Sequence, residues 1–217
     1  MRDCTLVAVA TGRRAQNLRE LRDHIATVHP DSIYYHFWGG LLRPRFDDPE
    51  FNNDFAAWAR DGLNEHKLAE RLGVIDPTDF LDLEALRLEL VEVIEDHLDE
   101  NEYVPWTNSD RQFHFIRSKI VVFDTSQRIE KPEMLPHATE SMSSSSIFYH
   151  FIDARRRTPD RIDDFSTWLR GYGDKYRKLH SQLSAIDPYF ATLVELRDKI
   201  TRLFFDYFGD KIEKLPA

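Results

Sequence analysis

The sequence is short of cysteine, of basic charge and of any long apolar run, and each shortage excludes something. A single cysteine, Cys4, in 217 residues rules out an intramolecular disulfide and fits a reducing compartment. No stretch joins a basic flank to a long apolar run, so neither a signal peptide nor a membrane span is expected, and the chain reads as a soluble cytoplasmic protein. Lysine and arginine number 29 against 38 acidic residues, a net charge of −9. A general nucleic-acid binder needs a basic face, so nucleic acid is excluded as a partner. The acidity reads as spread along the chain, a solubilising surface. No Cys-x-x-Cys or His-x-x-x-His supplies a metal-ligand set, and no Ser/His/Asp or Cys/His nucleophile pattern or full phosphate loop is found. No metal, no cofactor and no catalytic residue is therefore assigned.

What is abundant is repetition. Ser32-Ile33-Tyr34-Tyr35-His36-Phe37 returns 114 residues later as Ser146-Ile147-Phe148-Tyr149-His150-Phe151. Thr11, Arg14 and Leu21 fall on Thr125, Arg128 and Leu135 at the same spacing. Pro49, Asp54-Phe55, Trp58 and Arg60 fall on Pro159, Asp164-Phe165, Trp168 and Arg170 at 110. Ile75-Asp76-Pro77 falls on Ile186-Asp187-Pro188, and Leu86-Arg87 on Leu196-Arg197. The chain reads as a tandem duplication: residues 1–98 as one repeat, 99–112 as a linker, 113–208 as the second and 209–217 as a tail. Tyr103, Pro105 and Trp106 suggest that part of the linker packs.

Each repeat opens on a strand signal, Thr5 to Ala10 in the first and Phe113 to Ile116 with Lys119 to Phe123 in the second, so strands are expected over 5–10 and 113–123. Val7-Ala8 aligns with Val121-Val122, and pairing the two strands would solve the exposed edges of each. Leu18, Leu21, Ile25 and Val28 recur at helical spacing up to His29-Pro30. Asp31-Ser32 is the expected cap of the next helix, and Asp48-Pro49 and Thr158-Pro159 are expected starts. In the second repeat Pro132 and Pro136 interrupt the matching stripe, and Ser143 to Ser146 lead into the hexapeptide. The longest helices carry Leu83, Leu86, Leu90, Ile94 and Leu98, beginning near Thr78 or Asp79, and Leu193, Leu196, Ile200, Phe204 and Phe208. Phe205 and Tyr207 make the last helix apolar on more than one side, which suggests burial by the other repeat or another subunit. The fold class is mainly α with a small β component, a tandem pseudo-twofold duplication of a strand plus about four helices.

At Ser32 to His36, Asn53 to Trp58 and Ile75 to Pro77 the chain resembles a bacterial and archaeal family of uncharacterised domains, over nearly its whole length and in duplicated form. In that family the tyrosine-histidine motif is often followed by a polar Thr-His-Arg run, where this chain has Phe37-Trp38-Gly39. The resemblance implies no assigned activity.

His36 and His150, each near a helix start and flanked by Tyr35 and Tyr149, are the candidate ligand contacts. Their alternative role is a half-buried imidazole donating to a carbonyl or carboxylate. Arg14 and Arg128, each between a strand and a helix, are candidate anion ligands, or partners of carboxylates across the fold. Arg43, Arg45 and Arg155-Arg156-Arg157 tint the loops basic. Asp54 and Trp58, like Asp164 and Trp168, share a helix face, so core packing with a hydrogen-bonded carboxylate is expected. Arg87 and Arg197 are the expected partners of such carboxylates, and Asp76-Pro77 and Asp187-Pro188 read as turns. Two functions compete. One is a non-catalytic binding or regulatory module for an anionic small molecule or a protein partner, including a homodimer through the C-terminal helix. The other is an enzyme on a phosphorylated or carboxylated substrate, with His36 or His150 as acid–base and arginines as clamps.

Overall fold

The computed structural model describes residues 1–43, 50–100 and 108–209. Helices dominate, and the strands β1 (Arg2–Ala15) and β2 (Phe113–Asp124) pair antiparallel as a two-stranded sheet, as the aligned valines predict. Contacts gather into two compact units. One joins Met1–Thr5 to Ile120–Ala217, and the other is Leu6–Lys119. The first unit thus takes a strand segment from the far end of the sequence, and the second is one continuous stretch. The linker residues Tyr103, Pro105 and Trp106, like Asp48-Pro49 and Arg45, lie outside the described residues.

In the Leu6–Lys119 unit, α1 (Leu18–Thr27) starts at Asn17, whose side chain accepts from the Glu20 N–H, and it buries Leu18, Leu21 and Ile25. The helix α2 (Pro30–Trp38) does not begin at Asp31-Ser32 as expected. Pro30, which has no N–H to lose, takes the first position, and His29 Nδ1 accepts from the Asp31 N–H at 3.2 Å. That leaves the Ser32 hydroxyl available for another partner. Asn53 caps α3 (Asp54–Asp61), and α4 (His66–Gly73) follows. The long α5 (Leu83–Glu100) begins later than Thr78. The Asp76 carboxylate draws the Thr78 N–H and hydroxyl into a turn, and Asp82 accepts from Glu84 and Ala85 instead. Leu86, Leu90 and Ile94 are buried where α5 packs on α1, α2 and α4.

In the other unit, Pro132 and Pro136 each fall in a first helical turn, where no donor is required. A 3₁₀ turn, Pro132–Met134, leads into α6 (Leu135–Glu140). The serine run is a cap: Ser143 accepts from the Ser146 N–H and opens α7 (Ser144–Ile147). The chain continues through a wide π-helical turn, Phe148–Asp153, into α8 (Ala154–Arg157). Thr158-Pro159 starts no helix. The Thr158 hydroxyl bonds both the N–H and the carbonyl of Ile162 and closes a loop. Asp163 caps α9 (Asp164–Arg170) instead, and α10 (Arg177–Ser184) follows. Thr192 and Glu195 form a capping box at the head of α11 (Leu193–Phe208), whose five stripe residues are all buried. Its extra aromatics meet neighbours of the same unit, Phe205 against His137 and Tyr207 against Tyr176.

Candidate functional site

The two hexapeptides explain themselves once their helices are laid against the strands. Ser32 and His36 stand four apart on α2, on one face. Both bond one residue of β2: the Ser32 hydroxyl donates to the Ile116 carbonyl at 2.8 Å, and the Ile116 N–H donates to His36 Nε2 at 3.1 Å. In the other unit Ser146 donates to the Arg2 carbonyl at 2.7 Å, and the Arg2 N–H donates to His150 Nε2 at 3.0 Å. A serine and a histidine one turn apart thus supply the donor and acceptor that a neighbouring strand would otherwise provide.

The second ring nitrogens are engaged as well. His36 Nδ1 lies 2.8 Å from Asp54 Oδ2, and His150 Nδ1 lies 2.7 Å from Asp164 Oδ2. A backbone N–H can only donate, so Nε2 must carry the lone pair and Nδ1 the proton. Each imidazole is neutral, and its carboxylate accepts. Both aspartates sit in the first turn of a helix, where negative charge is favoured. Arg43 approaches Asp54 at 3.7 Å and lies over the Tyr35 ring, donating to its hydroxyl at 2.5 Å. Arg157 approaches Asp164 at 3.2 Å and lies over the Tyr149 ring, 4.0 Å from its centroid.

Surroundings distinguish the two sets. His36 is 3% exposed, with the rings of Phe55, Phe113 and Phe115 around it. Burial lowers its pKa below the ordinary histidine value, although the Asp54 carboxylate works in the opposite direction. His150 has Phe165 near it and a side chain 12% exposed. Burial alone would raise the Asp164 pKa, but the His150 bond and Arg157 outweigh it and hold the carboxyl below its usual range. The second set has one further member. Asp153, buried, receives Arg157 at 2.8 Å and Arg156 at 3.2 Å.

The other candidates go elsewhere. Arg14 reaches Gln112 at 3.4 Å, and Arg128 donates to the Thr125 and Gln127 carbonyls. Arg87 is not a partner of Asp54. It pairs with Glu84 and donates to the Ile25 and Val28 carbonyls, satisfying the end of α1. Arg197 likewise donates to the Met142 carbonyl and lies beside Asp198, away from Asp164. Asp76 and Asp187 do form the expected turns. Trp58 is buried and donates to the Arg111 carbonyl at 2.6 Å, whereas Trp168 is half-exposed against Tyr172. The two tryptophans are not equivalent core residues. Sequence reasoning noted Arg43 and Arg157 only as a basic tint of the loops and did not join them to the aspartates, although they stand 114 apart, the offset of the hexapeptides themselves.

Charge is also less evenly spread than expected. Residues 6–119 carry 22 acidic and 13 basic side chains, and the remaining residues carry 16 of each, so the whole net charge belongs to one unit. Burial pushes the Cys4 thiol up to about 12, which makes it inert as a nucleophile at neutral pH. Among the described residues, no three histidine, cysteine or acidic side chains could together hold a metal ion, and no helix is long and apolar enough to cross a membrane.

Comparison with known proteins agrees with this architecture. The structure of OrfY from Thermoproteus tenax superposes with a TM-score of 0.81 at 26% identity, covering 97% of this chain and 94% of that one. No curated protein matches. A family model described as a family of unknown function, DUF5752, matches residues 1–205, and the chain belongs to that family.

Proposed function

We propose that the chain is a non-catalytic binding module, built from two repeats, whose paired Ser–His–Asp–Arg sets hold strands in place and do not act on a substrate. One observation carries this reading: in both sets Nε2 accepts from a backbone N–H and Nδ1 donates to an aspartate. A general base or metal ligand needs a lone pair on offer, and here the lone pair is spent on the fold. A protein partner is favoured over an anionic small molecule. Arg43 and Arg157, the arginines beside the histidines, face carboxylates, and Arg14 and Arg128 face an amide and backbone carbonyls. A cytoplasmic setting belongs to the same reading, on the single cysteine.

The test uses His36→Gln and His150→Gln in the full chain. Each should lower stability by about 1–3 kcal/mol, the cost of disturbing a buried hydrogen-bonded pair, with His36 the larger because it is the more buried. Nitrogen-15 spectra should report the Nδ1–H tautomer for both rings, unchanged across a screen of metals, nucleotides and sugar phosphates. A ring that changes tautomer with a ligand, or a substitution that abolishes a ligand response at an unchanged melting temperature, would overturn the reading.

A further inference from the structure

The binding reading leaves the partner open, and the sheet narrows it. We infer that the outer edge of β2 at residues 120–124 pairs antiparallel with the same segment of a second copy of this chain, forming a continuous sheet about a twofold axis.

One backbone bond sets the direction of the groups along β2. The Thr125 N–H donates to the Met1 carbonyl at 3.1 Å, so at this end of β2 the odd-numbered groups face β1. Antiparallel ladders alternate, so the N–H and carbonyl groups of Ile120, Val122 and Asp124 face away from it. On the opposite side of the pair, the outward groups of Arg2 are closed by Ser146 and His150. The fold therefore covers β1 at Arg2 and β2 at Ile116 with a serine and a histidine each, and among the described residues no such cover serves the 120–124 end of β2. Along that end Val121 is 49% exposed, Val122 39% and Phe123 49%. Consecutive strand residues point to opposite faces, so both faces carry exposed apolar side chains there. An open, apolar, β-branched edge is a template for strand addition.

Two features select a second copy as the occupant. Antiparallel pairing centred on Val122 sets Val121 of one copy beside Phe123 of the other and the two Val122 side chains together. Apolar groups meet apolar groups, and the symmetry closes at two. The unit that carries this edge holds 16 acidic and 16 basic residues, so two such units approach without net repulsion, and Asp124 has Arg2 beside it at 3.4 Å. The matching stretch of the other unit, Leu6 to Ala10, is a poorer candidate. It exposes Val7 with alanines, and its unit carries the whole net charge of −9.

Sedimentation of the full chain from about 1 to about 200 µM should show the mass rising from 25.6 kDa toward twice that value, the behaviour of a micromolar dimer. Val122→Lys brings like charges together at the axis, and Val122→Pro removes an outward N–H without touching the β1 ladder. Each should weaken association at least about tenfold at an unchanged melting temperature. Should either variant lose stability, hydrogen exchange on the wild-type chain decides: the Ile120 and Val122 amides should gain protection as concentration rises. A monomer at every concentration, a dimer indifferent to both substitutions, or amides whose protection ignores concentration each overturns the proposal. None of these results touches the histidine tautomers, so the binding reading stands or falls on its own test.

Discussion

A neutral imidazole with both nitrogens engaged is a pH-sensitive structural part. In the unfolded chain His36 titrates near 6.5, and in the folded chain burial holds its pKa lower. Between the two values the unfolded state binds the proton, so stability rises with pH. It is fully present above about 6.5 and is lost as pH falls below it, with a slope of up to about 1.4 kcal/mol per unit for this one group. Urea midpoints from pH 7.5 down to 5.0 should therefore fall more steeply for the wild type than for His36→Gln. Parallel curves would show that His36 contributes nothing to the acid sensitivity. The tryptophans give a second contrast at this scale. Trp58→Ala should cost about 3–5 kcal/mol by leaving a cavity and removing the indole bond to the Arg111 carbonyl, which the Ser109 hydroxyl alone then serves, and Trp168→Ala about 1 kcal/mol or less. Equal losses in denaturant titrations would contradict the difference in burial.

Among the elements, α2 and the stretch from α7 into the π-helical turn Phe148–Asp153 act as edge covers. A two-stranded sheet is marginal on its own, and its outward groups need partners. Here Ser32 and His36 serve Ile116, and Ser146 and His150 serve Arg2. Ser32→Ala and Ser146→Ala should each cost about 1 kcal/mol, the net worth of one intramolecular bond. In hydrogen exchange the loss should appear first at the Ile116 amide for the former and the Arg2 amide for the latter. Loss spread evenly over the chain would argue that the serines merely support their own helices. The expectation that α11 offers its extra aromatics to a partner changes at this scale too, since Phe205 and Tyr207 have neighbours within their unit.

For the molecule as a whole, the division of β1 matters most. Met1–Thr5 belongs with Ile120–Ala217, while the rest of the strand belongs with the other unit. Deleting residues 1–5 removes the N–H and carbonyl that Ser146 and His150 hold. It should therefore make residues 120–209 sensitive to limited proteolysis, with residues 18–100 affected less. A fragment ending at residue 112 should fail to fold, because Phe113, Phe115 and Ile116 complete the surroundings of His36. A cooperatively melting 1–112 fragment would show that the first hundred residues need no strand from beyond them.

The amino-acid sequence alone determined the helical class, the strand pairing, the buried stripes of α5 and α11 and the turns at Asp76 and Asp187. These follow from periodicity and local bonding, which act over a few residues. It also marked Ser32, His36, Asp54 and their counterparts, by repeating them. What they do was legible only in three dimensions. Nothing local says that a histidine will accept from a strand residue 80 positions away, that Asp54 will choose His36 and Arg43 over Arg87, or that Trp58 will be buried and Trp168 half-exposed. The helix starts at Asp31-Ser32 and Thr158-Pro159 failed for a related reason: each polar side chain had a better partner, a strand carbonyl for Ser32 and the Ile162 backbone for Thr158. Tertiary structure decides such cases because a buried polar group must be paired, and the partner is whichever group the packed chain brings within 3 Å.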